Sequence, residues 1–217
     1  MFRVVVYAEG AGELAGPTSF PRAPSSPIPE DELGSAHLLV RRCLERARDL
    51  DASLVRFEEP LRTGRGKLAR GSILHSATTL RPLLFWADPE RQPNLAVVLV
   101  DADGDEERQK LLDSAIQGVP VETVVSVAIQ EFEAWLVADP VALKSVLRKP
   151  LAPPKAPEKL SRREAKELLQ QWCEEHARSR DAAEIRRDLA RQCDLDTLGV
   201  QCPAFELFMR KLQAPRP

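Results

Sequence analysis

Acidic side chains follow two apolar segments of this 217-residue sequence. Glu9 comes directly after the nearly continuously apolar residues 2–8, and Asp101 and Asp103 follow the apolar residues 95–100. Carboxylates that converge on one spot repel one another and are costly to remove from water. A hard divalent cation such as Mg²⁺ offsets that cost and prefers oxygen ligands. Glu9, Asp101 and Asp103 therefore indicate a site for a divalent cation, Mg²⁺ or Mn²⁺.

These acids can meet only if strands bring them together. The predicted strands are residues 2–8, 54–57, 95–100 and 121–127, and the predicted helices between and after them are residues 30–50, 72–86, 106–116 and 130–137. Alternation of this kind predicts an α/β fold with a Rossmann-like, mostly parallel central sheet flanked by helices. Ligands of such sheets bind beyond the carboxyl ends of the strands, where Glu9 and Asp101 are expected to lie.

The last third of the chain differs in composition. Residues 149–158 are rich in Pro and Lys, which is typical of a linker or an extended crossing. Further helices are predicted at residues 161–177, 181–191 and 204–212. We therefore expect an α/β core over residues 1–148 and a C-terminal helical extension over residues 149–217, packed on the core or on a partner.

The second acidic segment allows two interpretations. Side chains two residues apart in a strand share a face, so Asp101 and Asp103 would point the same way until Gly104 lets the backbone turn. Taken alone, the sequence DADGD of residues 101–105 is also what an acidic turn looks like when it caps the next helix. Its pairing with Glu9 on a neighbouring strand end favours the metal site.

Residues 62–71 form a basic, glycine-rich loop, which is the second candidate functional segment of the sequence. Arg62, Arg65, Lys67 and Arg70 are spaced by glycines, which suits a flexible clamp on nucleic-acid phosphates. A solvated basic loop explains the same residues equally well. The spacing is not that of a Walker A motif, which needs a Lys-Ser/Thr pair after its glycines.

Composition excludes several classes of protein. The formal net charge is -2, so a globally basic nucleic-acid binder is excluded and any phosphate-binding surface is local. The 4 cysteines form no C-x-x-C pair and are expected to be reduced. No apolar run approaches the length of a membrane span, so we expect a cytoplasmic protein without a membrane partner. None of the 3 histidines is assigned to catalysis, although His75 lies near the basic loop.

Two motifs resemble those of the Toprim superfamily, which includes topoisomerases, bacterial primases, recombination-repair proteins and OLD-family nucleases. They are VVVYAEGAGE at residues 4–13 and VVLVDADGD at residues 97–105. The resemblance implies Mg²⁺-dependent phosphodiester chemistry, with Glu9 as general acid/base or metal ligand and Asp101 and Asp103 as metal ligands.

The resemblance also implies supporting ligands. Glu13 and Asp105 would be second ligands, and Glu131 or Glu133 would complete a second site. Because Glu131 and Glu133 are two apart on a predicted helix, only one of them is expected to aim at the site unless the helix starts between them. Trp135, in the same segment, is expected to pack in the core.

Two further segments are similar to an uncharacterised bacterial branch of Toprim-like proteins, often encoded beside SMC-like or AAA-type ATPases. They are QEFEAWLVAD at residues 130–139 and CPAF at residues 202–205. Asp139 and Pro140 are predicted to begin a helix as N-cap and first helical residue. This similarity implies a partner ATPase and a role in bacterial defence against phage or plasmid.

Departures from the superfamily narrow the function. The only tyrosine, Tyr7, lies inside a predicted buried strand, so covalent strand passage is not expected, and no zinc motif is present. A metal-dependent endonuclease acting on DNA or RNA remains as the principal hypothesis. Two alternatives stay open: a non-catalytic Toprim-fold binding or sensor subunit of an ATPase complex, and a haloacid-dehalogenase-type phosphatase, which also uses Asp-x-Asp after a strand.

Overall fold

A parallel β-sheet forms the centre of the protein. The computed structural model describes residues 1–18, 20, 22–102, 104–128, 131–161 and 163–214. Within these residues the strands are β1 (Phe2–Ala8), β2 (Val55–Glu58), β3 (Leu95–Asp101) and β4 (Glu122–Ala128). They lie in the order β2-β1-β3-β4, and every neighbouring pair is parallel. The predicted α/β class, a parallel sheet flanked by helices, is confirmed.

The two central strands, β1 and β3, are nearly continuously apolar because both faces of the sheet are covered. In β1, Val4 and Val6 face one hydrophobic cluster while Val5 and Tyr7 face the other. The second cluster also holds the Tyr7 hydroxyl, which donates to the Leu83 carbonyl at 2.6 Å. The side chains of β1 therefore alternate between two hydrophobic clusters, one on each face of the sheet.

The helices connect and cover the strands. In chain order they are α1 (Ala11–Leu14), α2 (Ser35–Arg48), α3 (Ala77–Leu80), α4 (Arg108–Ala115), α5 (Glu133–Leu136), α6 (Pro140–Leu147), α7 (Glu164–His176), α8 (Ala182–Gln192), α9 (Leu195–Gln201) and α10 (Pro203–Gln213). As predicted, Asp139 caps α6 by accepting from the Val141 amide at 2.7 Å, with Pro140 as the first helical residue.

Some predicted helices are wrong or shorter than expected. The helix predicted at residues 72–86 is instead a 3₁₀ turn at Gly71–His75, the single turn α3 and a second 3₁₀ turn at Arg81–Leu84. Pro82 cannot donate a backbone hydrogen bond, which prevents a continuous helix here. The helix predicted at residues 130–137, of which residue 130 lies outside the described residues, is limited elsewhere to α5, and α9 was not predicted at all.

The C-terminal helices pack on the sheet. Trp135 of α5 is 1% exposed and lies edge-on to Phe205 and stacked on Phe208, both of α10, with ring centroids 5.3 and 6.1 Å away. Its Nε1 donates to the Glu158 carboxylate at 2.6 Å. Trp135 is a core residue, as predicted, and the division of the chain at residue 148 stays a prediction.

Two expectations from composition concern the thiols and the membrane. Cys43, Cys173, Cys193 and Cys202 are free and buried. Among the described residues, no helix is both long enough and apolar enough to cross a lipid bilayer.

Candidate active site

Glu9 lies just beyond the carboxyl end of β1 and is held by two donors. Its Oε2 accepts the backbone amide of Asp101 at 3.0 Å, which joins the ends of β1 and β3. The same oxygen lies 2.8 Å from His75 Nε2. The predicted meeting of Glu9 and Asp101 at one sheet edge is therefore found.

Asp101 is the last residue of β3 and is tied to the segment before α5. Its Oδ1 accepts the Phe132 amide at 3.1 Å. Its carbonyl accepts a hydrogen bond from the Arg108 guanidinium of α4. These contacts fix the end of the strand from both sides, so the position of Asp101 depends on two different helical segments.

Glu13 brings a third carboxyl group to the same place. The side chain is only 7% exposed and its Oε1 accepts the Gly10 amide at 3.1 Å. Burial raises the pKa of Glu13 well above its ordinary value, and repulsion from Glu133, Asp101 and Glu9 raises it further. A group with a raised pKa holds its proton, so the site keeps Glu13 neutral where the unfolded chain would ionise it.

We name Glu9, Glu13, Asp101 and Glu133 the acidic cluster. Glu133, in α5, is buried and lies 3.4 Å from the Arg186 Nε of α8. Sequence reasoning missed Arg186, because a basic residue within a mixed-charge helix is most simply explained as solvated. It also assigned no role to His75, and no signal other than proximity to the basic loop pointed to it.

The start of α5 separates the two candidate glutamates. Phe132 is its N-cap and Glu133 its first residue, so the helix begins between the two glutamates, the case in which the sequence left both of them free to aim at the site. Glu131 turns away and accepts the Lys166 amide at 3.1 Å, in the first turn of α7. An acidic side chain at a helix N-terminus satisfies a free amide there. Glu131 thus anchors α7, and Glu133 joins the acidic cluster.

The remaining predicted metal ligands differ in status. Asp103 falls outside the described residues. Gly104 adopts φ of 81°, the left-handed conformation that the predicted turn requires. Asp105 accepts the Glu107 amide at 3.1 Å and pairs with Arg108 at 3.5 Å, which matches the helix-capping interpretation of this segment. A metal role for Asp105 stays a prediction.

The chemistry of the acidic cluster fits a hard cation. Its possible ligands are carboxyl oxygens, and repulsion from Glu133, Asp101 and Glu9 adds to the burial that raises the pKa of Glu13. Within the described ranges, which omit Asp103, no three acidic, His or Cys side chains converge as one complete ligand group. Further ligands would therefore come from Asp103, from water or from substrate.

The raised pKa of Glu13 makes a prediction about stability. The stability linked to its proton is present in full below its ordinary pKa of 4.5 and is lost as the pH rises through the folded value. Glu13→Gln cannot ionise and keeps an oxygen for the Gly10 amide. The variant should therefore gain stability over wild type between about pH 5 and about pH 8 in urea unfolding. An equal difference at both pH values would contradict the raised pKa.

A close backbone contact positions α1, which carries Glu13. A Cβ added to Gly34 would lie 2.2 Å from the Glu13 carbonyl oxygen and 2.5 Å from the Leu14 carbonyl carbon. Gly34→Ala should therefore push α1 away and cost about 2–3 kcal/mol in unfolding free energy. The control Gly199→Ala, in α9 with no atom within 4 Å of the added Cβ, should be neutral or stabilising. Equal stabilities of the two variants would show that the contact relaxes freely.

The four cations of the basic loop differ in exposure and in their contacts. Arg62 is partly buried, lies 3.9 Å from the Glu59 carboxylate and donates to the Arg22 carbonyl. The loop closes as a turn in which the Gly66 amide donates to the Thr63 carbonyl at 2.7 Å. The other three cations, which are exposed, are Arg65, Lys67 and Arg70. Binding of nucleic acid by this loop stays a prediction.

The fold and the acidic cluster define an α/β protein with a carboxylate-rich centre at the carboxyl ends of its parallel strands. The chain belongs to the DUF4276 family, a domain of unknown function, whose model matches residues 37–213. The matched region begins after Glu9 and Glu13 and includes Asp101 and Glu133.

Two other comparisons concern curated proteins and solved structures. No curated protein matches the chain. A solved structure, the C-terminal region of the OLD protein of Xanthomonas campestris pv. campestris, is similar with a TM-score of 0.40 and 14% sequence identity. The match covers 98% of this chain and 94% of that one.

Proposed function

We propose that this protein is a Mg²⁺- or Mn²⁺-dependent nuclease of the Toprim type, which hydrolyses phosphodiester bonds of nucleic acid. The observation that carries the proposal is the acidic cluster, in which burial and, further, repulsion from three carboxylates raise the pKa of Glu13. The resemblance of residues 4–13 and 97–105 to Toprim motifs supports the same chemistry.

Asp101 and Asp103 would hold the cation, with Glu13 as a further ligand once its proton is displaced, and Glu9 would be either a ligand or the general base. A bound divalent cation supplies Lewis-acid stabilisation of the charge that develops on the phosphoryl oxygens. Loss of the Glu13 proton requires positive charge nearby, so cation binding and deprotonation of Glu13 are expected to be coupled.

Glu9 is suited to act as the general base. The Asp101 amide and His75 both contact its Oε2, which fixes the orientation of the carboxylate. Its Oε1 can then accept a proton from the attacking water. His75, on the 3₁₀ turn that follows the basic loop, is a positioning residue for Glu9 in this scheme.

The exposed cations of the basic loop would contact the substrate backbone. Arg65, Lys67 and Arg70 are exposed in the loop that leads to His75. Exposed Arg and Lys attract phosphates at long range and hold them through charge-assisted hydrogen bonds. Only a few residues separate these cations from His75, which contacts Glu9. A phosphate held by the loop would therefore lie close to the acidic cluster.

We further propose that the protein works as the effector subunit beside an SMC-like or AAA-type ATPase in defence against phage or plasmid. The support is the similarity of residues 130–139 and 202–205 to proteins encoded beside such ATPases. Co-purification with the ATPase encoded next to it would test the partnership separately from the chemistry.

Cleavage by the purified chain tests the nuclease proposal. Supercoiled plasmid, linear DNA and total tRNA are incubated with Mg²⁺, Mn²⁺ or EDTA, with and without the ATPase. We expect cutting of one substrate class with either cation and none with EDTA. Absence of cutting in all conditions, together with no cation binding by calorimetry, would overturn the proposal.

A non-catalytic binding or sensor subunit is the second candidate. Two contacts favour it: His75 lies beside Glu9, and Arg186 lies beside Glu133. Each of these two carboxylates of the acidic cluster thus already has a basic partner in the protein itself. Thermal stabilisation by Mg²⁺ without cleavage of any substrate, combined with stable binding to the ATPase, would favour this candidate.

A further inference from the structure

A cavity outside the acidic cluster lies beside the basic loop. It opens to solvent and has a volume of about 560 Å³, which is typical of small-molecule sites. Its apolar wall includes Val6, Leu14, Ile28 and Leu68, and its polar side chains are His37, Glu59, Arg62, Lys67 and Arg70. The cavity thus combines an apolar interior with a basic side.

His37 of α2 lines this cavity with an unsatisfied donor. The side chain is 1% exposed, and its Nδ1 accepts the Gly34 amide at 3.2 Å. Burial lowers the pKa of His37 to about 3, so the ring is neutral and its proton lies on Nε2. No hydrogen-bond partner for Nε2 is found among the described residues. A buried donor without a partner is costly, which favours a ligand that brings an acceptor. Because less than 1 Å² of Nε2 is exposed, that acceptor reaches it only when the imidazole ring or the cavity wall shifts.

Glu59 adds an acceptor to the same cavity. Its main chain is fixed by the Glu59 amide donating to the Ser26 carbonyl at 2.8 Å and by the Ser25 amide donating to the Glu59 carbonyl at 2.8 Å. Burial raises the pKa of the Glu59 carboxyl, and Arg62, 3.9 Å away, opposes that shift. A ligand edge that carries both an acceptor and a donor is therefore complementary to His37 and Glu59.

The cations lie where the cavity meets solvent. Lys67 and Arg70 line it and are exposed, whereas Arg65 is exposed in the same loop but does not line it. An anionic group would sit beside Lys67 and Arg70 while the apolar part of the ligand enters the cavity. Nucleobases have flat apolar faces and an edge with donors and acceptors, and their nucleotides carry the anion.

We propose that this cavity binds one nucleotide unit, with the base inside beside His37 and Glu59 and the phosphate beside Lys67 and Arg70. The unit can be a free nucleotide or an unpaired nucleotide of a strand, since both present the same chemistry. The proposal goes beyond the nuclease function and requires no residue of the acidic cluster.

Calorimetric titration of the full chain in EDTA tests the site. EDTA removes divalent cations, so the result is independent of cleavage and of the cation site. The probes are the four common nucleoside 5′-monophosphates, inorganic phosphate and a short single strand. We expect at least one monophosphate to bind at one site per chain, about tenfold or more tighter than inorganic phosphate.

Two substitutions of His37 distinguish the loss of its Nε2 donor from the loss of its structural role. His37→Asn keeps an oxygen near the position of Nδ1 for the Gly34 amide but removes the Nε2 donor. His37→Gln places an amide nitrogen near Nε2 but loses the bond to Gly34. Binding should fall about tenfold in His37→Asn and less in His37→Gln, while thermal unfolding confirms that both fold.

The loop cations give a second test that does not depend on a buried residue. Lys67→Ala and Arg70→Ala should each weaken monophosphate binding several-fold more than Arg65→Ala, although all three remove one exposed charge. Equal weakening by all three would overturn the pocket in favour of diffuse attraction. Failure of every monophosphate and of the strand to bind, or binding unchanged in His37→Asn, would also overturn it. Binding of the strand as well as the monophosphate would identify an unpaired nucleotide as the ligand, and binding of the monophosphate alone a free nucleotide.

Discussion

Glu9→Gln should lower the rate of nucleic-acid cleavage by about 10²- to 10⁴-fold, the effect of losing a positioned general base. Glutamine keeps the size of the side chain and an oxygen for the Asp101 amide, so the ends of β1 and β3 should stay together. It loses the negative charge that would accept a proton or hold the cation. Initial rates on the most reactive substrate, measured at saturating Mg²⁺ and Mn²⁺, check the prediction.

Glu107→Gln is the matched control for Glu9. It removes one carboxylate near the same sheet edge, but Glu107 is exposed and pairs with Lys110 at 3.0 Å on the surface of α4. Its activity should stay within about twofold of wild type, since exposed ion pairs contribute little. A Glu9→Gln protein that cuts as fast as Glu107→Gln would remove Glu9 from the chemistry.

A smaller effect is expected at His75. Because His75 touches Glu9 and not the reacting atoms in the proposed scheme, its loss should misorient the base without removing it. His75→Ala should therefore retain more activity than Glu9→Gln. An activity as low as that of Glu9→Gln would contradict a positioning role.

Trp135→Ala should lower the free energy of unfolding by about 3–5 kcal/mol, the range for removing a large aromatic side chain from a core. The indole packs against Phe205 and Phe208, so its removal leaves a cavity between α5 and α10. It also removes the donor that the Glu158 carboxylate contacts, although the Ala204 amide still donates to that group at 3.0 Å. Chemical denaturation monitored by circular dichroism measures the change.

Two further variants distinguish the free-energy cost of losing the buried ring of Trp135 from that of losing its Nε1 donor or an exposed ring. Trp135→Phe keeps most of the ring and loses the Nε1 donor, and should cost about 1–2 kcal/mol. Phe85→Ala removes an aromatic ring that is 48% exposed and should change stability by about 0.5 kcal/mol at most. If Trp135→Ala were as mild as Phe85→Ala, α10 would not be held to the core through this ring.

The sequence was sufficient for the sheet and for the location of the acidic residues. Apolar residues at nearly every position of β1 and β3 indicate strands covered on both faces, and this pattern is local. The rule that ligands bind beyond the carboxyl ends of parallel strands then placed Glu9 and Asp101 at one edge. The Asp139-Pro140 start of α6 was predictable for the same reason, because capping depends on neighbours in sequence.

Local patterns failed where several signals competed over a short stretch. Residues 72–86 have helical spacing of apolar residues, yet Pro82 and the contacts of the segment with the sheet divide it into short turns. The assignment of Glu133 to the acidic cluster, and of Glu131 to the start of α7, depended on where α5 begins. A shift of one or two residues at a helix end decides such an assignment, and spacing does not specify helix ends that closely.

By itself the sequence determined which residues are acidic, basic or apolar, which strands they end, and hence that carboxylates collect at one edge of a parallel sheet. Only the tertiary structure decided their partners. His75 and Glu9 are 66 residues apart, and Arg186 reaches Glu133 from a different helix. Contacts of this kind form when helices pack on the sheet, and their geometry depends on the whole core. The periodicity that predicts each element carries no information about which polar side chain of one element will face another.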